Sequence, residues 1–143
     1  MPSAPASPTS PLTPPPRQGV GGRRDTAAGR HWKHMMRLRI YDTALEMVGE
    51  VTRVARRVER SDSDLARQMR RACTSVPLNI AEGVHSKGGN QKVRYYSAMA
   101  SARETIAAIE VSVAAEYITA EGTPEVLRKL DQIVATLWRL THR

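Results

Sequence analysis

The chain has 143 residues, 41% of them apolar and 25% charged, with 22 Lys+Arg against 14 Asp+Glu and a formal net charge of +8. That length holds one domain and excludes a large multi-domain catalyst, while a single cysteine, Cys73, excludes a disulfide framework or a cysteine-rich zinc module and fits a reducing compartment. No apolar run reaches the roughly 18 residues of a membrane span, and the start of the chain lacks the apolar core of a signal peptide, so a soluble, cytoplasmic protein is expected.

Seven of the nine prolines lie in the first sixteen positions. Residues 1–30 therefore read as a disordered Pro/Gly/Arg-rich tail, too poor in branched apolar side chains to offset the entropy of ordering. The tail is a spacer, a basic arm, or an upstream extension with translation starting at Met35 or Met36. It carries four arginines and one aspartate, which leaves a net +5 for residues 31–143, the expected folded domain.

Ile40, Ala44, Met47, Val48, Val51, Val54, Ala55 and Val58 recur at helical spacing and predict a first helix over residues 40–58. In the following turn, Ser61 with Asp64 three residues on resembles a capping box, so a second helix is expected from there. Its stripe is Leu65, Met69, Ala72, Cys73, Val76 and Ile80, with Gly83 and Gly88-Gly89 as its stop. Pro77 lies inside that stripe and predicts a kink near Cys73 to Pro77, because proline lacks an amide donor and clashes with the carbonyl four residues back. A third helix is expected from about Asn90 to Ala120, on Tyr95, Met99, Ala102, Ile106, Ile109 and Val113. Gly122 is its expected C-terminal cap, Thr123 the next N-cap and Pro124 the first position of a fourth helix. There Leu127, Leu130, Val134, Leu137 and Thr141 form one ridge, and Val126, Ile133 and Leu140 a second.

No segment alternates with period two. The expected fold class is all-α, an antiparallel up-down-up-down four-helix bundle with a disordered N-terminal tail. Ala107-Ala108 and Ala114-Ala115 suit a close helix contact, and helices three and four are apolar over more of their circumference than one core needs, which favours a homo-oligomer.

Eighteen of the 22 basic residues are arginine, whose planar fork suits phosphate and carboxylate. Arg53, Arg56, Arg57 and Arg60 share one face of helix one opposite the apolar stripe, and Arg67, Arg70 and Arg71 repeat the spacing on helix two. An antiparallel hairpin brings all seven to one corner, the expected nucleic-acid-binding surface. Favourable placement at a helix C-terminus explains the first set as mere surface charge, but not the second, which sits near an N-terminus. Lys33, Arg37, Arg39, Lys87, Lys92, Arg94, Arg139 and Arg143 gather at the other end of such a bundle. Tyr41, Tyr95, Tyr96, Tyr117, Trp32 and Trp138 fall in or near apolar stripes, so recognition by shape and phosphate is expected rather than stacking on unpaired bases.

Glu82 and His85 form one Glu-x-x-His pair. A carboxylate-bridged di-iron site needs two such pairs and two further glutamates, and His31 and His34 have no partners, so no metal and no cofactor is expected. Cys73 reads as a core thiol. No Ser/His/Asp set, phosphate loop or acidic cluster stands out, so no catalytic residue is assigned and the protein is expected not to be an enzyme. Ser75, Asn79 and Glu82 lie beside the buried stripe and are expected to hydrogen-bond Ser101, Arg103 or Glu104 of helix three.

The run Ser75-Val76-Pro77-Leu78-Asn79-Ile80-Ala81-Glu82-Gly83 resembles the signature of the four-helix-bundle family encoded in intervening sequences of bacterial 23S ribosomal RNA genes. Ala98-Met99-Ala100-Ser101-Ala102-Arg103-Glu104 resembles its second block. The likeness spans about Leu38 to Leu140, with an aromatic-proline pair before helix two replaced here by a Ser-Asp turn. It makes Ser75, Pro77, Asn79, Glu82, Gly83, Ser101 and Glu104 the family-motif structural residues. It also implies a ring-like homo-oligomer, a pentamer, with basic surfaces and no known catalysis. In fold the family is similar to the accessory variability determinant of diversity-generating retroelements, which binds nucleic acid and a reverse transcriptase. Two functions follow as expectations: an oligomeric protein binding RNA, ribosomal or otherwise structured, through the seven arginines, or an adaptor docking on a polymerase-like protein partner.

Overall fold

The computed structural model describes residues 2–4, 27 and 39–142. Four helices make up the domain: α1 (Arg39–Glu59), α2 (Ser63–His85), α3 (Gly88–Ala114) and α4 (Pro124–Thr141). No strand occurs among the described residues, and no described helix is long and apolar enough to cross a membrane. Seams α1–α2, α2–α3, α3–α4 and α1–α4 close a ring around one core, the α2–α3 seam being the most extensive.

Each helix turns its apolar stripe inward. On α1, Ile40, Ala44, Met47, Val51, Val54, Ala55 and Val58 are buried, and Val48 packs against the core at its edge. Met47, Met69, Met99, Ile80, Ile109, Leu130, Ile133 and Leu137 are the largest fully buried side chains, so the unbranched, adaptable methionines fill the centre of a core without phenylalanine. On α4 both predicted ridges contribute: Val126, Leu130, Ile133, Leu137 and Thr141 are buried, while Leu127, Val134 and Leu140 pack at the margin.

Three helix ends differ from expectation. The N-cap of α2 is Asp62, whose carboxylate accepts from Leu65 N at 2.9 Å. Ser61 still belongs to the preceding turn, its amide donating to Val58 O, so a Ser61–Asp64 box does not form. Gly83 does not stop α2, which continues through Pro77 and Gly83 to His85; the glycine serves a contact described below. Finally, α3 ends at Ala114, not Ala120. Glu116 N donates to Val113 O and Tyr117 N to Ser112 O, both at 3.0 Å, with Glu116 at φ 61°. This is a Schellman cap with glutamate in the left-handed position that glycine usually fills. Gly122, at φ 80°, instead turns the chain into Thr123 and Pro124, which start α4 as expected, although the Thr123 hydroxyl bonds back to Ala120 O.

Candidate nucleic-acid interface

Arg53, Arg56, Arg57 and Arg60 are all exposed. Their α1 spacing sets them on the side away from Val51, Val54 and Val58, and none meets a carboxylate in an ion pair among the described residues. The arginines of α2 are divided. Arg70 clasps Glu59 with two bonds, 2.9 and 3.3 Å, which ties the start of α2 to the end of α1. Arg67 reaches Asp64 at 3.4 Å. Arg71, without an ion pair among the described residues, faces the other way and lines a depression with Gln68, Ala72, Ser75, Ser101 and Glu104 in the α2–α3 seam.

The seven guanidinium groups therefore do not converge on one corner. Residues 70 and 71 are about 100° apart around a helix, so Arg70 turns toward α1 and Arg71 toward α3. What remains coherent is the α1 row. Arg57 and Arg60 border a depression of about 690 Å³ with Ser61, Val113, Glu116, Tyr117, Ile118 and Thr119. Arg53 and Arg57 border another of about 580 Å³ with Glu50, Val54, Glu121, Gly122 and Glu125. The second depression sets three glutamates against two arginines and is net negative; the first, with two arginines and one glutamate, keeps a positive surplus.

The committed arginine has a mate with altered acidity. Hydrogen bonding from Arg70 holds the Glu59 carboxyl below the usual carboxylate range, and Glu59 raises Arg70 in return. At the other basic end, Arg94 pairs with Glu82 at 2.8 Å and Arg139 reaches Thr136; Lys33, Arg37 and Arg143, like His31, Trp32 and His34, lie outside the described residues. Two aromatics expected near apolar stripes are on the surface: Tyr96 is 45% and Trp138 50% exposed. The Trp138 ring is stacked on His142, with centroids 3.4 Å apart. Among the described residues no group of three or more His, Cys, Asp and Glu could hold a metal ion. Cys73 is buried, and burial pushes its thiol up to about 11, far from a reactive thiolate.

Residues 36–139 match the family model described as 23S rRNA-intervening sequence protein. The chain belongs to this family. Among solved structures it is similar to a protein of unknown function from the S23 ribosomal protein family of Bacteroides thetaiotaomicron, with a TM-score of 0.68 and 20% identity over 73% of this chain and 99% of that one. At that identity the likeness is one of fold. Curated proteins give no match.

The blocks that resemble the signature of the 23S rRNA-intervening sequence family meet in the α2–α3 seam. Asn79 Nδ2 donates to Ser75 O and Ser75 Oγ, both at 2.9 Å, and Ser101 Oγ donates to Ser75 Oγ across the seam at 3.0 Å. Glu82 takes Arg94, and Glu104 borders the depression that holds Ser75 and Ser101. A Cβ added at Gly83 would lie 2.4 Å from Tyr95 Cε1, so the glycine admits the buried Tyr95 ring against the α2 backbone. Pairs Ser75–Ser101 and Glu82–Arg94 run in opposed directions along the two helices.

One cluster gave no signal in the sequence. Lys129, with only 14% of its side chain exposed, bridges α4 to Glu50 and, at 3.4 Å, to Glu46 of α1, and these carboxylates raise its ammonium. Glu46 and Glu50 stand one turn apart on α1, which is the only hint available before α4 is known to lie beside it.

Proposed function

We propose that this protein is a non-enzymatic, oligomeric RNA-associated protein of the cytoplasm that holds structured RNA against the arginine row of α1. The observation that carries the reading is the state of Arg53, Arg56, Arg57 and Arg60, exposed and without carboxylate partners among the described residues in a chain of net +8. Elsewhere on its surface Arg70, Arg94 and Arg128 are paired, and Arg71 stands apart from the row in the α2–α3 seam. A row of free guanidinium groups, one helical turn apart, can neutralise successive phosphates and release their counterions. Leu78, Val93 and Val111, at 64%, 59% and 51% exposure, support assembly with further copies, a pentamer being the expected form. Assembly would repeat the row and turn modest affinity into avidity.

Fluorescence anisotropy with a labelled rRNA hairpin across a salt series tests this. Binding should weaken as salt rises, with a log–log slope near −0.9 for each phosphate engaged on a duplex. Reversal of Arg53, Arg56 and Arg57 to glutamate should remove about three such contacts. Reversal of Arg67, whose group already faces Asp64, should change little. A salt-independent constant, or equal loss from both changes, overturns the proposal. In a pull-down, partners that survive nuclease treatment favour the adaptor reading over RNA.

A further inference from the structure

We infer that the depression between the end of α1 and the α3–α4 connection takes one unpaired guanosine of an RNA, its base over Tyr117 and its phosphate against Arg57 and Arg60. This inference rests on the RNA reading above and sharpens it. The depression has an apolar floor and a polar rim. Ile118 is buried and Val113 and Tyr117 half-buried, while Arg57, Arg60, Ser61, Glu116 and Thr119 around them are exposed. Its volume of about 690 Å³ falls within the roughly 300–1,000 Å³ range of small-ligand pockets, which suits one nucleotide.

The floor is preorganised. Tyr117 N and Ile118 N both donate to Ser112 O, at 3.0 and 3.4 Å, which fixes the tyrosine immediately after the end of α3. The side chain is half-buried and packs against the core, so it is held without needing a ligand. Base–aromatic stacking on such a held ring is worth about tenfold in affinity.

Glu116 supplies the base preference. It occupies a left-handed backbone position, φ 61°, where glycine would remove the steric cost of a Cβ. A costly residue kept at the lip of a cavity points to a use for its side chain. Glu116 lines the same depression as Arg57 and Arg60, and its carboxylate forms no ion pair with either. A carboxylate only accepts hydrogen bonds. Guanine is the base whose Watson–Crick edge presents two adjacent donors, the N1–H and the N2 amino group, and so matches both oxygens at once; adenine, cytosine and uracil each present a single donor group there.

Three RNA hairpins of one sequence decide the matter: fully paired, with a single bulged guanosine, and with a single bulged adenosine. The wild-type chain should bind the guanosine bulge about tenfold more tightly than the paired hairpin, with adenosine in between. Tyr117→Leu should abolish the bulge advantage while leaving paired RNA unaffected, and Tyr117→Phe should restore it. Glu116→Gln, on the surface and neutral for folding, should erase the preference for guanosine over adenosine. Paired RNA bound with no advantage for either bulge overturns the pocket and leaves the arginine row standing. An advantage that survives Tyr117→Leu overturns it equally. No binding of any hairpin overturns both readings.

Discussion

The α2–α3 seam and the C-terminal end of α1 use polar residues to opposite ends. In the seam the motif side chains bond one another or a neighbour: Asn79 and Ser101 both bond Ser75, and Glu82 holds Arg94, while Arg71 and Glu104 border an open depression beside them. At the end of α1, Arg53, Arg56, Arg57 and Arg60 have no ion-pair partner among the described residues. Satisfied, partly buried hydrogen bonds fix one helix register against another, whereas exposed cations such as Arg56 and Arg57 add only a small interaction with the C-terminal dipole of α1 and remain available to an anion. The motif that resembles the family signature thus lies where the bundle is held together, and the candidate RNA surface lies away from it. A chain can keep this motif for its fold and place its binding charges elsewhere.

The sharpest way to break this contrast is to attack the closest contact in the seam. Tyr95 is buried against Gly83, so Tyr95→Ala should cost about 3–5 kcal/mol in denaturant unfolding, the range for emptying a large aromatic site. Gly83→Ala in the wild-type background should also destabilise, because overpacking of about 1–3 kcal/mol outweighs the roughly 1 kcal/mol that alanine returns in helix propensity. In the Tyr95→Ala background the clash is gone and Gly83→Ala should stabilise instead. A change of sign between the two backgrounds is specific to this contact; without it, Gly83 has another role.

Why the sequence revealed some of this and concealed the rest is visible in the same residues. The four stripes were legible because burial on one side of a helix forces a period of 3.6, and every position predicted on α1 is buried or packed at the core's edge. Gly83 reads as a stop because glycine marks helix ends by default. Only the Tyr95 ring, twelve residues later, shows that it marks a close approach. The end of α3 is hidden because Glu116 supplies a left-handed cap that glycine normally announces, so the sequence points to Gly122 instead. Which arginines were free was not legible at all. Arg67, Arg70 and Arg71 look equivalent in spacing, and their fates depend on which neighbour each side of α2 meets.

A smaller effect tests the hydrogen bonds of the seam. Ser75→Ala removes the oxygen that receives both Asn79 and Ser101, and should lower stability by about 1–2 kcal/mol, the cost of leaving partly buried donors short of a partner. RNA affinity should not change, since Ser75 lies in a seam distant in function from the α1 row. If the substitution left stability intact but weakened RNA binding, the division of labour between the two regions would be reversed, and the depression containing Arg71, Ser75 and Ser101 would become the candidate surface.

The smallest effect lies where the two regions resemble each other most, at Arg70, an arginine by spacing part of the basic corner and by contact part of the fold. Its bond holds the Glu59 carboxyl below the usual carboxylate range. A carboxylate depressed in the folded state adds stability above its unfolded pKa and loses it as pH falls through the lower, folded value. Glu59→Gln should therefore make the acid limb of the stability profile slightly shallower, and the effect is small because the pair is exposed to solvent. Freed of its carboxylate, Arg70 becomes chemically like Arg56, so the same variant should bind the rRNA hairpin slightly more tightly at low salt. Unchanged acid behaviour together with unchanged RNA affinity would mean that pairing does not separate the two kinds of arginine. The row on α1 would then have no claim over the residues of α2.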